Sequence, residues 1–145
     1  MRSRVMVVGP VGCGKSTLLQ TLYQTVDQVK KTVDLNFYSD SIDTPGEYAQ
    51  VPRFYSALLV TASEASKIIV LQDATALLPT LPPGFAGMFI RPTIGVITKM
   101  DARGADSERA RKHLLEIGIK EPIFEVSSYS QLGIQSLKEY LEEGG

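Results

Sequence analysis

The 145-residue sequence is poor in the side chains that build cross-links and metal centres, with one cysteine and one histidine. A single cysteine excludes an internal disulfide and fits a reducing compartment. His113 has no second histidine to join it, which argues against a metal site and for a surface residue beside Arg111 and Lys112. No apolar run approaches the ~18 residues that a bilayer span needs. Charge of either sign is also lacking in excess. Fifteen basic against sixteen acidic residues leave a net charge of −1, so there is no electrostatic case for nucleic acid or an anionic membrane as partner. A strand-like run begins by residue 4, leaving no room for a cleavable leader, and the expected setting is cytoplasmic.

What the chain does contain is alternation. Residues 4–8 (RVMVV), 33–37 (VDLNF), 41–43, 67–72 (KIIVLQ), 92–98 (PTIGVIT) and 122–127 read as strands. Residues 15–24, 52–64, 106–117 and 130–142 read as helices. Such alternation predicts an α/β fold with a mostly parallel sheet covered on both faces. The length fits a single domain over residues 1–145, and no repeat or linker interrupts it. Pro52 suits a helix start, where a missing N–H does no harm, and Gly118 suits a helix stop. Residues 74–91 carry Pro79, Pro82 and Pro83. They predict an irregular segment with one short helix near 85–89.

One motif is dense with chemistry: Gly9-Pro10-Val11-Gly12-Cys13-Gly14-Lys15-Ser16, followed by Thr17. A strand, a glycine turn and a helix start aim consecutive backbone N–H groups at one point, where a phosphate can sit. Lys15 would reach the β- and γ-phosphates, and the Ser16 hydroxyl would hold Mg²⁺. The pattern predicts binding of a nucleoside triphosphate. Cys13 lies where a thiolate is favoured, yet a small residue filling the loop is the better account of it.

Three further motifs follow in order. Asp43-Thr44-Pro45-Gly46 closes a strand. In phosphate-loop proteins a carboxylate there holds the Mg²⁺ hydration shell, and a glycine amide can meet the γ-phosphate because no side chain blocks it. Thr98-Lys99-Met100-Asp101 ends another strand. A carboxylate at Asp101 can accept both the N1–H and N2–H of guanine, and the Lys99 stem can pack over the purine. Thr98 stands where asparagine is usual. Ser127-Ser128 lies at the end of the last strand. The Ser128 amide could meet the guanine O6, with Ser127 ordering the turn.

Together the four motifs resemble the GTPases of the translation-factor and Ras-like class. Lys30-Lys31-Thr32, Asp43-Thr44-Pro45-Gly46-Glu47-Tyr48, Tyr55-Ser56-Ala57-Leu58-Leu59 and Thr98-Lys99-Met100-Asp101 resemble the EutP/PduV family of ethanolamine- and propanediol-utilisation microcompartments. Gly9-Pro10, Cys13-Gly14-Lys15, Pro83-Gly84-Phe85 and Arg91-Pro92 sit nearer the propanediol branch. The resemblance implies a Ras-like three-layer sandwich with a shortened switch hairpin, since only 11 positions separate Thr32 from Asp43. It also implies Thr32 as the switch threonine completing Mg²⁺ coordination. Glu47 takes the place of the usual water-orienting glutamine, with Lys15, Thr32, Gly46 and Glu47 forming the catalytic set. The implied ligands are GTP or GDP, with ATP possible, and Mg²⁺. The implied partners are shell or enzyme proteins of the microcompartment. The leading expectation is a guanine-nucleotide switch or slow GTPase. A small-carboxylate (acetate) kinase using ATP or GTP, and a nucleotide-bound interaction module without hydrolysis, are the alternatives. Arg53, just past Glu47, reads as a solvated arginine or as an arginine finger in cis. Arg109, Arg111 and Lys112 read as a solvated face.

Overall fold

The computed structural model describes residues 5–10, 12, 14, 17–18, 21, 41–43, 49, 51–120, 122–127 and 130–143. Five strands form one sheet: β1 (Val5–Val8), β2 (Ser41–Asp43), β3 (Lys67–Asp73), β4 (Thr93–Thr98) and β5 (Ile123–Glu125). Their spatial order is β2-β1-β3-β4-β5, and each adjacent pair is parallel. Among the described residues the sheet is therefore wholly parallel. The strand expected at 33–37 and the switch hairpin lie outside the described residues.

Parallel strands are covered on both faces, so they read as continuous apolar runs whose alternate residues serve two cores. Met6, Val8, Ile68, Val70 and Ile97 face one core with Leu58 and Ala62 of α1 (Tyr55–Ala62) and Leu114 and Ile117 of α2 (Ser107–Ile117). Val5, Val7, Ile69, Leu71, Ile94 and Val96 face the other with Leu18, Val126, and Ile134, Leu137 and Leu141 of α3 (Ile134–Glu143). The result is the expected three-layer α/β arrangement. Gly95 lets α2 approach β4, because a Cβ there would stand 2.8 Å from Leu114 Cδ1.

Local signals set the helix ends. Asp106 caps α2 by accepting the Arg109 N–H, and Gly118 ends it at φ 113°. Pro52 opens a 3₁₀ turn, Pro52–Phe54, that leads into α1, so the expected helix over 52–64 divides in two. The expected helix over 130–142 begins only at Ile134. Gln131 and Gly133 adopt left-handed φ of 69° and 71°, and Ser127 N–H donates to Leu132 O at 3.0 Å, so the chain turns before the helix starts.

Residues 74–91 hold a single 3₁₀ turn, Phe85–Met88, as the prolines predict, and the segment is tied down along its length. Buried Gln72 donates to Leu78 O at 3.0 Å and accepts from Thr80 N–H at 2.9 Å. Gly84 N–H donates to Glu116 O. Phe85 packs edge-on to both Tyr55 and Phe89, and Arg91 donates to Ser63 O at 3.0 Å. This fixes one wall of the sheet's C-terminal edge.

Two glycines with similar φ separate conformational strain from collision. Among the described residues Gly104 (φ +88°) has nothing within 4 Å of a built Cβ, whereas at Gly133 (φ +71°) a Cβ would stand 2.1 Å from Glu125 O. Gly104→Ala should cost about 1–2 kcal/mol. Gly133→Ala should cost more than about 3 kcal/mol, since a backbone oxygen cannot swing aside. Urea unfolding of both variants checks this, and equal losses would contradict it.

Candidate functional site

Because all pairs are parallel, the loops after β1, β2, β3, β4 and β5 emerge on one edge. The chain leaves β1 for β2 on one side and then crosses to β3 on the other. That reversal opens a crevice at the C-terminal ends of β1 and β3, the place where open α/β sheets bind ligands.

The loop after β1 runs through Gly9 and Pro10. Gly12 and Gly14 have φ of 87° and 95°, a region that side chains other than glycine rarely adopt. Leu18 N–H donates to Gly14 O at 2.9 Å, and Thr17, Leu18 and Thr21 are helical. The Thr17 carbonyl accepts the Thr21 hydroxyl. Val11, Cys13, Lys15, Ser16, Thr32, Gly46, Glu47 and Ser128 lie outside the described residues. Asp43 closes β2 in register with Val7 of β1.

The loop after β4 reaches back over this turn. Lys99, at φ 62°, sends its stem across the glycine turn after β1, its Cε 3.9 Å from the position of a Gly14 Cβ. Its ammonium donates to Gly12 O and pairs with Asp73 Oδ2 at 3.0 Å. Asp73, the last residue of β3, is fixed in turn: its Oδ1 accepts from Thr75 N–H at 2.8 Å and the Thr75 hydroxyl at 2.6 Å. Burial pushes the Asp73 carboxyl upward, but the Thr75 hydrogen bonds and the Lys99 ammonium outweigh it and hold it below the ordinary value of 3.8.

Asp101 is oriented by the loop after β5. The fully buried Ser127 donates its hydroxyl to Asp101 Oδ1 and accepts Ser130 N–H at 3.1 Å. Val126 N–H donates to Ile97 O, and Met100 N–H to Val126 O. Thr98 is buried, and its carbonyl accepts Ala74 N–H at 2.9 Å. The structure thus brings together Gly12, Gly14, Thr98, Lys99, Asp101 and Ser127.

Beside the loop lies a cavity of about 770 Å³, lined by Gly12, Tyr55, Asp73, Leu77, Leu78 and Pro79 among others. Asp73 belongs to none of the four motifs, and its only signal in the sequence is its place just past the strand-like run 67–72. Arg109, expected on a solvated face, instead donates from Nη2 to Ala74 O at 3.3 Å. Arg111 pairs with Glu125 at 3.4 Å. His113 is half-buried rather than on the surface, because α2 turns one side of its ring inward, with Nδ1 lacking a partner among the described residues. Arg53 lies over the Phe54 ring, 5.1 Å from its centroid. Among the described residues no group of three or more His, Cys, Asp or Glu side chains could hold a metal ion, and no helix is long and apolar enough to cross a membrane.

Residues 2–143 match the PduV-EutP family, described as ethanolamine utilisation - propanediol utilisation. The chain is 39% identical over 141 residues to the "Probable acetate kinase EutP" of Escherichia coli K12, covering 95% of this chain and 88% of that protein. The protein of the same name from Salmonella typhimurium LT2 is 38% identical over the same shares. The "Propanediol utilization protein PduV" of Citrobacter freundii is 41% identical over 98 residues, 68% of this chain and 65% of that protein. The chain belongs to the PduV-EutP family.

The lowered Asp73 carboxyl has a sign. A carboxylate held below its unfolded value adds stability that is present above that value and lost as pH falls through the folded one. The stability gap between the native chain and Asp73→Asn should therefore be flat above about pH 5 and narrow below about pH 4. Urea unfolding across that range checks it, and a gap that widens on acidification would contradict it.

Proposed function

We propose that this member of the PduV-EutP family is a Mg²⁺-dependent guanine-nucleotide switch with slow GTP hydrolysis, serving ethanolamine- or propanediol-type catabolism in association with a microcompartment. One observation carries the reading: a single loop after β4 is tied both to the phosphate-loop turn and to a carboxylate suited to a base. Lys99 reaches Gly12 O, while two residues on, Asp101 is oriented by Ser127. A carboxylate has about four lone-pair sites, so one bond from Ser127 leaves acceptors for the paired N1–H and N2–H donors of guanine. Adenine presents no such pair.

The residues at hand fit the rest of the ligand. The left-handed φ of Gly12 and Gly14 is the backbone shape that turns successive N–H groups toward an anion. Asp43 ends β2 beside β1, and with Ser16 and Thr32 it would hold Mg²⁺. The ion would supply charge neutralisation at the triphosphate. Lys15 would add a second cation there. Glu47 is the residue that sets the rate. A carboxylate about 4 Å from a γ-phosphate is repelled by about 4 kcal/mol per charge pair at an effective dielectric near 20. Close approach to an attacking water is therefore disfavoured.

The name shared by the EutP relatives supports a second reading, transfer of the γ-phosphoryl to acetate. The cavity opening at Gly12 provides space for an acceptor. Among its described lining residues, however, none is Lys, Arg or His, and the neighbouring Lys99 ammonium is already paired with Asp73. A carboxylate losing water there gains no free counter-charge from those residues, which ranks the kinase reading second.

Turnover separates the two. Hydrolysis of GTP is expected at about 10⁻² s⁻¹ or below, unchanged by added acetate and without acetyl phosphate. Glu47→Gln should preserve or raise that rate at equal affinity. Acetyl phosphate formation would establish the kinase. A fall of more than about a hundredfold in Glu47→Gln would instead mark Glu47 as a general base.

A further inference from the structure

We infer that Asp73 is a positioning residue for the phosphate loop, acting through Lys99 to fix the Gly12 peptide. The inference rests on the nucleotide-binding reading and extends it to a residue outside the four motifs. Three observations lead there. The Lys99 ammonium contacts two acceptors at once, Gly12 O and Asp73 Oδ2. Asp73 is held rigid by β3 on one side and by two bonds from Thr75 on the other. The Lys99 side chain is itself 40% exposed, against 16% for Asp73. A lysine this accessible has four flexible methylenes and a strongly hydrated head, so a bond to one carbonyl alone competes poorly with water. The half-buried, pre-oriented carboxylate keeps the ammonium on the loop.

The consequence for ligand binding follows from peptide geometry. In a planar trans peptide the C=O and N–H point in opposite directions. A bond that holds the Gly12 oxygen toward Lys99 therefore restrains the plane of the Gly12 carbonyl. Gly12 needs such a restraint, because glycine at φ 87°, with no described atom within 4 Å of a built Cβ, has the widest choice of conformations. Asp73 also lines the cavity beside the loop, so a single carboxylate joins the cavity wall, the Lys99 stem and the phosphate-loop turn.

The experiment is a double-mutant cycle on the full chain, read by the dissociation rate of fluorescent GTP and GDP analogues with Mg²⁺. Asp73→Asn keeps an oxygen for Thr75 but removes the charge, and Lys99→Met keeps the stem but removes the ammonium. Each should speed dissociation about five- to tenfold. The double variant should be no faster than the worse single one, because both act through one bond. Asp73→Glu should restore part of the loss. The thermal midpoint of each variant is measured alongside, and unfolding of Asp73→Asn leaves Lys99→Met and Asp73→Glu to decide. Additive effects, unchanged dissociation in Asp73→Asn, or in the unfolding case unchanged dissociation in both remaining variants, would overturn the inference while leaving nucleotide binding intact. A native chain that binds neither GTP nor ATP analogues would overturn the nucleotide reading, and this inference with it.

Discussion

Parallel pairing is the constraint on which everything else in the molecule depends. Parallel strands need crossovers on their faces, and the crossovers return every strand in the same direction. All five C-terminal ends therefore share one edge, and residues far apart in sequence meet there. Gly12, Asp73 and Lys99 come from the ends of three strands, yet they form one bonded unit. The two apolar cores hold that edge still. Each fully buried leucine or isoleucine on the sheet contributes about 1.5–3 kcal/mol, far more than any one surface ion pair. The ion pair between Lys99 and Asp73 matters for where it places the loop rather than for how much it stabilises the fold.

The segment between β3 and β4 shows how the scaffold shapes the site's surroundings. A stretch with three prolines would be expected to wander, but Thr80 donates to the Gln72 amide oxygen and the Gln72 amide N–H donates to Leu78 O, which leaves that amide satisfied at both ends. A buried amide left unsatisfied costs about 1–3 kcal/mol, so the segment and the strand end order each other. The outcome is a fixed apolar wall beside the glycine loop after β1, with Leu77 and Leu78 exposed along its rim.

Much of this was legible in the sequence, for identifiable reasons. The strands at Val5–Val8, Lys67–Asp73 and Thr93–Thr98 are short apolar runs, and α2 is bracketed by Asp106 and Gly118, residues whose side chain or freedom at φ defines an end. Gly12, Gly14, Lys99, Asp101 and Ser127 were legible as candidates because their spacing is tied to strand ends. Asp73 was not, because a carboxylate after an apolar run looks like any strand end until its partner, 26 residues on, is seen beside it. The late start of α3 was hidden for a different reason. Gln131 adopts a left-handed conformation that its residue type does not announce, and the bridge from Ser127 to Leu132 that supports it is a tertiary contact.

The central claim, that the tied loops recognise guanine, is tested most directly by titrating the native chain with non-hydrolysable GTP and ATP analogues in Mg²⁺. Two hydrogen bonds to Asp101 that adenine cannot make should favour the guanine analogue by at least about tenfold. Equal affinity for the two, or a preference for the adenine analogue, would contradict it.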